Sequence, residues 1–202
     1  MRKRAKDKPD AALYQVRQQG LALLEEQSLL GHIDLYYGDE TRVAEEGYVP
    51  YGWQFADEQV AIKSRRGKAM NYFGLLRRDN HLLYQACSEN ITADLVITFL
   101  DELSLKINKY TVIVLDNARA HTAKKVKACL QDWQQRGLYI FYLPPYSPHL
   151  NIIERLWKEV KEGWIRPSDY QTADQLFYAV DRILANLGNK LRLNFKSYQS
   201  SN

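Results

Sequence analysis

A chain of 202 residues that is 46% apolar and 12% aromatic can bury a real core, which excludes a disordered protein. Two cysteines, Cys87 and Cys129, each inside an apolar pattern, exclude a disulfide scaffold and fit a reducing, cytoplasmic setting. The net charge of +4 is small and its placement says more: Arg2, Lys3, Arg4, Lys6 and Lys8 crowd the N-terminus, and Lys63, Arg65, Arg66 and Lys68 form a second cluster.

No apolar run follows the basic N-terminus, and no stretch nears the ~18 apolar residues of a membrane span, so a soluble protein with no membrane partner is expected. Residues 10–28 read as a helix with Leu13, Val16, Leu21 and Leu24 on a loose apolar stripe. Residues 33–39 read as a buried strand that ends at Asp39. Residues 47–63, with Gly47, Pro50 and Gly52-Trp53, read as an irregular hairpin-like excursion. Met70 to Arg77 and Leu82 to Cys87 are predicted strands joined at the tight-turn pair Asp79-Asn80. Thr92 to Ile107 is a predicted helix on Leu95, Val96, Phe99, Leu100 and Leu103.

Thr111 to Leu115 has the unbroken apolar and β-branched character of a fully buried strand, and Asp116 follows it directly. A single helix is predicted from about Thr122 to Gln135, ended by Gly137. A strand over Leu138 to Leu143 runs into the Pro144-Pro145 loop. Asn151 reads as the N-cap of a helix carrying Glu154 in its first turn, and the pair also matches a capping box. At ~100° per residue, Ile153, Leu156, Trp157, Val160 and Trp164 share its core face, while Glu154 falls on the flank beside Lys158 and Lys161. Residues 172–187 form a last amphipathic helix. Early strands followed by alternating helices and strands predict an α/β fold, a mixed sheet with helices on both faces and no domain boundary. Strands 33–39 and 111–116 would be neighbours.

Three carboxylates at the ends of regular elements are what a divalent-metal phosphoryl-transfer site requires. Carboxylates a few ångströms apart repel unless cations lie between them. Magnesium prefers oxygen ligands, and two such ions can clamp the attacking and leaving oxygens of an in-line displacement. Each residue also has a structural reading. Asp39 fits a strand-end turn, Asp116-Asn117 an Asx turn at a helix entry, Glu154 an ordinary pair with Lys158. His121 fits a hydrogen bonder at a helix start. Nothing at ligand spacing supports zinc, and Ser64 and Ser147 lack the His and acid of a nucleophilic triad.

Asp39-Glu40 at a strand end, Gly52-Trp53 downstream, Asp116-Asn-Ala-Arg-Ala-His121 and Ser147-Pro-His-Leu-Asn-Ile-Ile-Glu154-Arg-Leu-Trp157 together resemble the DDE transposases of the mariner superfamily, in their bacterial insertion-sequence branch. The resemblance runs from about residue 30 to about 190. It implies a ribonuclease H-like fold, a mixed five-stranded sheet with helices on both faces. It implies Asp39, Asp116 and Glu154 as catalytic ligands of two Mg2+ ions, with Mn2+ as a substitute, and Asn117, His121 and Asn151 as supporting residues. The implied reaction is transposon-end cleavage by water, then attack of the freed 3′-hydroxyl on target DNA, typically at TA.

The expected organisation is a basic segment and linker helix over 1–30, a catalytic domain over 31–190 and a tail over 191–202. The residues expected to meet phosphates are Lys63, Arg65, Arg66, Lys68, Lys124, Lys127, Lys158 and Lys161. Double-stranded DNA is the expected partner, as transposon ends and TA-containing target. A homodimer and a separately encoded helix-turn-helix portion are further expectations, because the stretch before Asp39 is too short for two end-reading modules. Two other readings stand beside the enzyme: a truncated, inactive product that binds only DNA or a partner, and a junction resolvase of the same fold.

Overall fold

The computed structural model describes residues 11–46 and 67–195. The excursion expected over 47–63, Lys63, Arg65, Arg66 and the basic residues ahead of Ala11 lie outside the described residues.

All five residues of β4 (Thr111–Leu115) are buried. A run of this kind suits a strand flanked on both edges. β1 (Asp34–Ala44) and β5 (Leu138–Tyr142) flank it, both parallel. β2 (Ala69–Leu76) and β3 (Leu82–Cys87) pair antiparallel, and the sheet order is β3-β2-β1-β4-β5. The expected mixed five-stranded sheet is present. The helices are α1 (Ala11–Leu29), α2 (Ala93–Ser104), α3 (Arg119–Thr122), α4 (Lys124–Gln135), α5 (Ile153–Glu159) and α6 (Ala173–Ala185).

The chain divides into two compact units. The first takes in the described residues up to Gly38 and Thr92–Ile152. Its α2 and α4 are joined by the Trp133 indole N–H donating to Asp101 at 2.8 Å. Its α1 meets β5 at Gly20, where an added Cβ would touch Phe141 at 3.4 Å, and Arg17 stacks over the same ring. Leu21 and Glu25 are buried there, and the Tyr37 hydroxyl donates to the Glu25 carboxylate. Leu13 and Val16, expected to face inward, are instead exposed. The inward face of α1 therefore carries Leu21 and Glu25, with Gly20 and Arg17 against Phe141.

The second unit takes in the described parts of Asp39–Ile91 and Ile153–Asn194. Asn80 takes the left-handed conformation (φ 72°) between β2 and β3, and its side chain holds Leu193 through both amide atoms. α5 lies on β2 where Gly74 leaves room: an added Cβ would come within 2.9 Å of Trp157. Ile153, Leu156, Trp157 and Val160 are buried and Glu154 is exposed, as the helical phase predicts.

Four local expectations are corrected. β1 does not end at Asp39 but runs to Ala44, because Thr41 and Val43 continue the alternation of buried and exposed positions. The helix expected from Thr122 is broken at Ala123, which is extended (ψ 147°) between α3 and α4. Asn151 does not cap α5; its amide donates to the Gly38 carbonyl at 3.0 Å instead. Val160–Trp164 is a π-helical turn, closed by the Ile165 N–H on the Val160 carbonyl at 3.1 Å. A π turn lags behind the α-helical phase. Trp164 therefore leaves the core face predicted for it and stands partly exposed.

Candidate active site

Asp116 follows the last residue of β4, and the next residues begin α3. Its Oδ1 accepts the Ala118 N–H at 2.9 Å and lies 2.7 Å from His121 Nδ1. An ionised carboxylate only accepts, so Nδ1 carries the proton of that bond. His121 is fully buried, and Tyr142 fixes it from behind by donating its hydroxyl to the His121 carbonyl at 2.9 Å. Burial pushes the Asp116 carboxyl up, but the His121 hydrogen bond, the Ala118 N–H and the imidazole charge outweigh it and hold the group below its ordinary value. The side chain remains 49% exposed, and no described residue hydrogen-bonds its Oδ2. Asn117 ties the same bend to the chain after β5, donating to the Leu143 carbonyl at 2.7 Å.

Asp39 and Glu154 belong to the other unit, and both act on Lys161 in the π-helical turn. Burial lowers the affinity of that ammonium for its proton; Glu154 first and Asp39 second oppose the effect. Two of the three acids singled out by the sequence thus share one cation. Among the described residues, no group of three or more His, Cys, Asp and Glu side chains is gathered so as to hold a metal ion. The donor chemistry fits a hard divalent cation. Every candidate donor is a carboxylate oxygen, and the Asp116 carboxyl, held below its ordinary value, is half-exposed.

The expected DNA-contacting cations fare unevenly. Lys68, Lys124 and Lys127 are exposed, while Lys158 lies 3.8 Å from Glu162 and is partly neutralised. Lys161 is half-buried beside acids rather than presented to solvent. The sequence reading missed the role of Tyr142 and the grouping of Arg166, Arg182 and Lys190 about one cavity. Neither carries a local signal, since the partners come from separate elements.

A family model described as DDE superfamily endonuclease matches residues 34–177. A curated relative, the uncharacterized protein y4pE/y4sA of Sinorhizobium fredii, is 27% identical over 67 residues, 33% of this chain and 45% of that protein. The Mos1 transposase paired-end complex with left transposon end superposes with a TM-score of 0.60 at 16% identity, over 92% of this chain and 59% of that one. The Mos1 mariner paired end complex with Mn gives 0.55 at 18% identity, over 92% and 59%. The Mos1 Strand Transfer Complex gives 0.55 at 14% identity, over 94% and 61%. The chain thus spans less than two thirds of the length of each. The likeness is one of fold, that of a ribonuclease H-like DDE transposase catalytic region.

Proposed function

The chain belongs to the DDE superfamily endonucleases, and from that premise we propose that it cleaves and transfers DNA strands with Asp39, Asp116 and Glu154 as one metal-dependent set. The observation that carries the reading is Asp116. One oxygen is immobilised by His121 and the Ala118 N–H, the carboxyl is held below its ordinary value, and the side chain stays half-exposed. A carboxylate so fixed is pre-organised to meet a cation.

Bound to this set, two Mg2+ ions, or Mn2+ in their place, would clamp the attacking and leaving oxygens of an in-line phosphoryl displacement. The residues of the chain do the positioning. His121 holds the Asp116 rotamer, Asn117 braces the bend that carries it, and Asn151 braces Gly38, the residue before Asp39. Glu154 and Asp39 both favour the ammonium form of Lys161 against the burial that lowers its proton affinity. Lys68, Lys124, Lys127 and Lys158 meet backbone phosphates.

In this reading residues 31–190 act as one catalytic domain on duplex DNA at transposon ends and TA target. Helix-turn-helix modules outside that range recognise the ends. The test is nicking of a supercoiled plasmid by the purified chain with Mg2+, with Mn2+ and with EDTA. Open-circle product with either metal and none with EDTA supports the reading. DNA binding without product in any metal would leave only a DNA- or partner-binding protein.

A further inference from the structure

In the second unit, Gly163, Trp164, Arg166, Arg182, Ile183, Asn186, Lys190 and Leu191 line an open cavity of about 480 Å3. Three of these residues are cations and none is a carboxylate. Among the described residues, Arg166, Arg182 and Lys190 enter no ion pair. The Asp169 carboxylate accepts the Arg166 backbone N–H at 2.8 Å, but no described carboxylate pairs with the three cationic side chains, and like charges so gathered favour an anion. One wall is of a different kind: Trp164 with Ile183 and Leu191. Trp164 reaches the cavity because the π-helical turn rotates it off the core face of α5. A turn of this type is uncommon and often marks a working site.

Cations alone would suit the phosphates of a duplex. An aromatic and aliphatic wall beside them suits a flat apolar face as well, and a base stacked in a duplex does not offer one. An unpaired nucleotide offers both, its base for Trp164 and its phosphates for the basic rim. We propose that this cavity holds an unpaired nucleotide of a DNA strand, with the base against Trp164 and the flanking phosphates at Arg166, Arg182 and Lys190. The proposal rests on the reading above in taking the strand to be DNA. Trp164 and Lys161 belong to the same π-helical turn.

The experiment is fluorescence anisotropy of the full chain with a short labelled single strand, and with the same sequence as a blunt duplex, across a salt series. Arg182→Gln combined with Lys190→Gln should weaken single-strand binding roughly tenfold and reduce the salt slope by about 1.4, the loss of two phosphate contacts. Trp164→Ala should also weaken single-strand binding roughly tenfold, Trp164→Phe should keep most of it, and neither should alter duplex binding much. If Trp164→Ala misfolds by circular dichroism, the Arg182 and Lys190 pair decides, because both side chains are exposed. Unchanged single-strand affinity in that pair, or no single-strand binding by wild type, overturns the proposal. Plasmid nicking on the same preparations separates the two readings. Wild type that binds single strands through the cavity but never nicks defeats the catalytic reading alone. Nicking with single-strand affinity indifferent to the cavity variants defeats this inference alone.

Discussion

At the scale of the residue, Asp116 is the group whose surroundings say most. Its carboxyl is held below its ordinary value, so the ionised form is favoured by folding. The stability this contributes is present above the unfolded value, near 4, and is lost as pH falls through the lowered folded value. Asp116→Asn cannot titrate. Thermal melts from pH 2.5 to 7 should therefore show wild type gaining on the variant as pH rises toward about 4 and holding that gain above it. A difference that stays constant across the series would remove the His121 contact from the account. Much of this residue was legible in the sequence. A carboxylate after a buried strand, with Asn next and His five on, announces a bent chain held by side-chain hydrogen bonds. Asn151 was not legible in the same way. A short amide before a helix looks the same whether it caps that helix or reaches across to another strand, and here its donor is taken by Gly38.

At the scale of the element, α5 and β2 define each other. Gly74 is small because Trp157 lies against it, and Trp157 is 3% exposed because Gly74 permits it. Gly74→Ala should cost about 1–3 kcal/mol through overpacking, and Trp157→Ala about 3–5 kcal/mol through the cavity it leaves. Urea denaturation of both variants measures this. A neutral Gly74→Ala would mean that Trp157 can move aside, and with it the helix that carries Glu154. The apolar spacing of α5, α2 and α6 was readable because packed helices repeat every three to four residues. The π-helical turn was not, since its departure from that period is shorter than any pattern can report. Nor was the break at Ala123: the His121 carbonyl is occupied by the Tyr142 hydroxyl, a partner from β5. β1 outran its predicted end because Gly38 and Asp39 resemble a terminus locally, while the strand is continued by Thr41 and Val43 beyond them.

At the scale of the whole molecule, the order β3-β2-β1-β4-β5 contains the two adjacencies expected from the sequence, β2 beside β3 and β1 beside β4. What no local pattern could supply is the interleaving of the chain into two units, which depends on contacts far apart in sequence. Among the described residues no helix is long and apolar enough to cross a membrane. Cations such as Lys68, Lys124 and Lys127 give affinity for phosphate and little reading of bases. Duplex binding is therefore expected to be salt-sensitive and on the order of 10⁻⁴–10⁻⁶ M at physiological salt, with little preference between transposon ends and unrelated duplex. Gel-shift titrations at two salt concentrations check this, and a nanomolar preference for the ends would show that the chain itself reads sequence. The central claim is that three acids act as one metal-dependent set, and plasmid nicking by the three single variants tests it most directly. Asp39→Asn, Asp116→Asn and Glu154→Gln should each abolish Mg2+-dependent product while duplex binding stays the same or tightens. Nicking at the wild-type rate by any one of them, in a folded preparation, would contradict it.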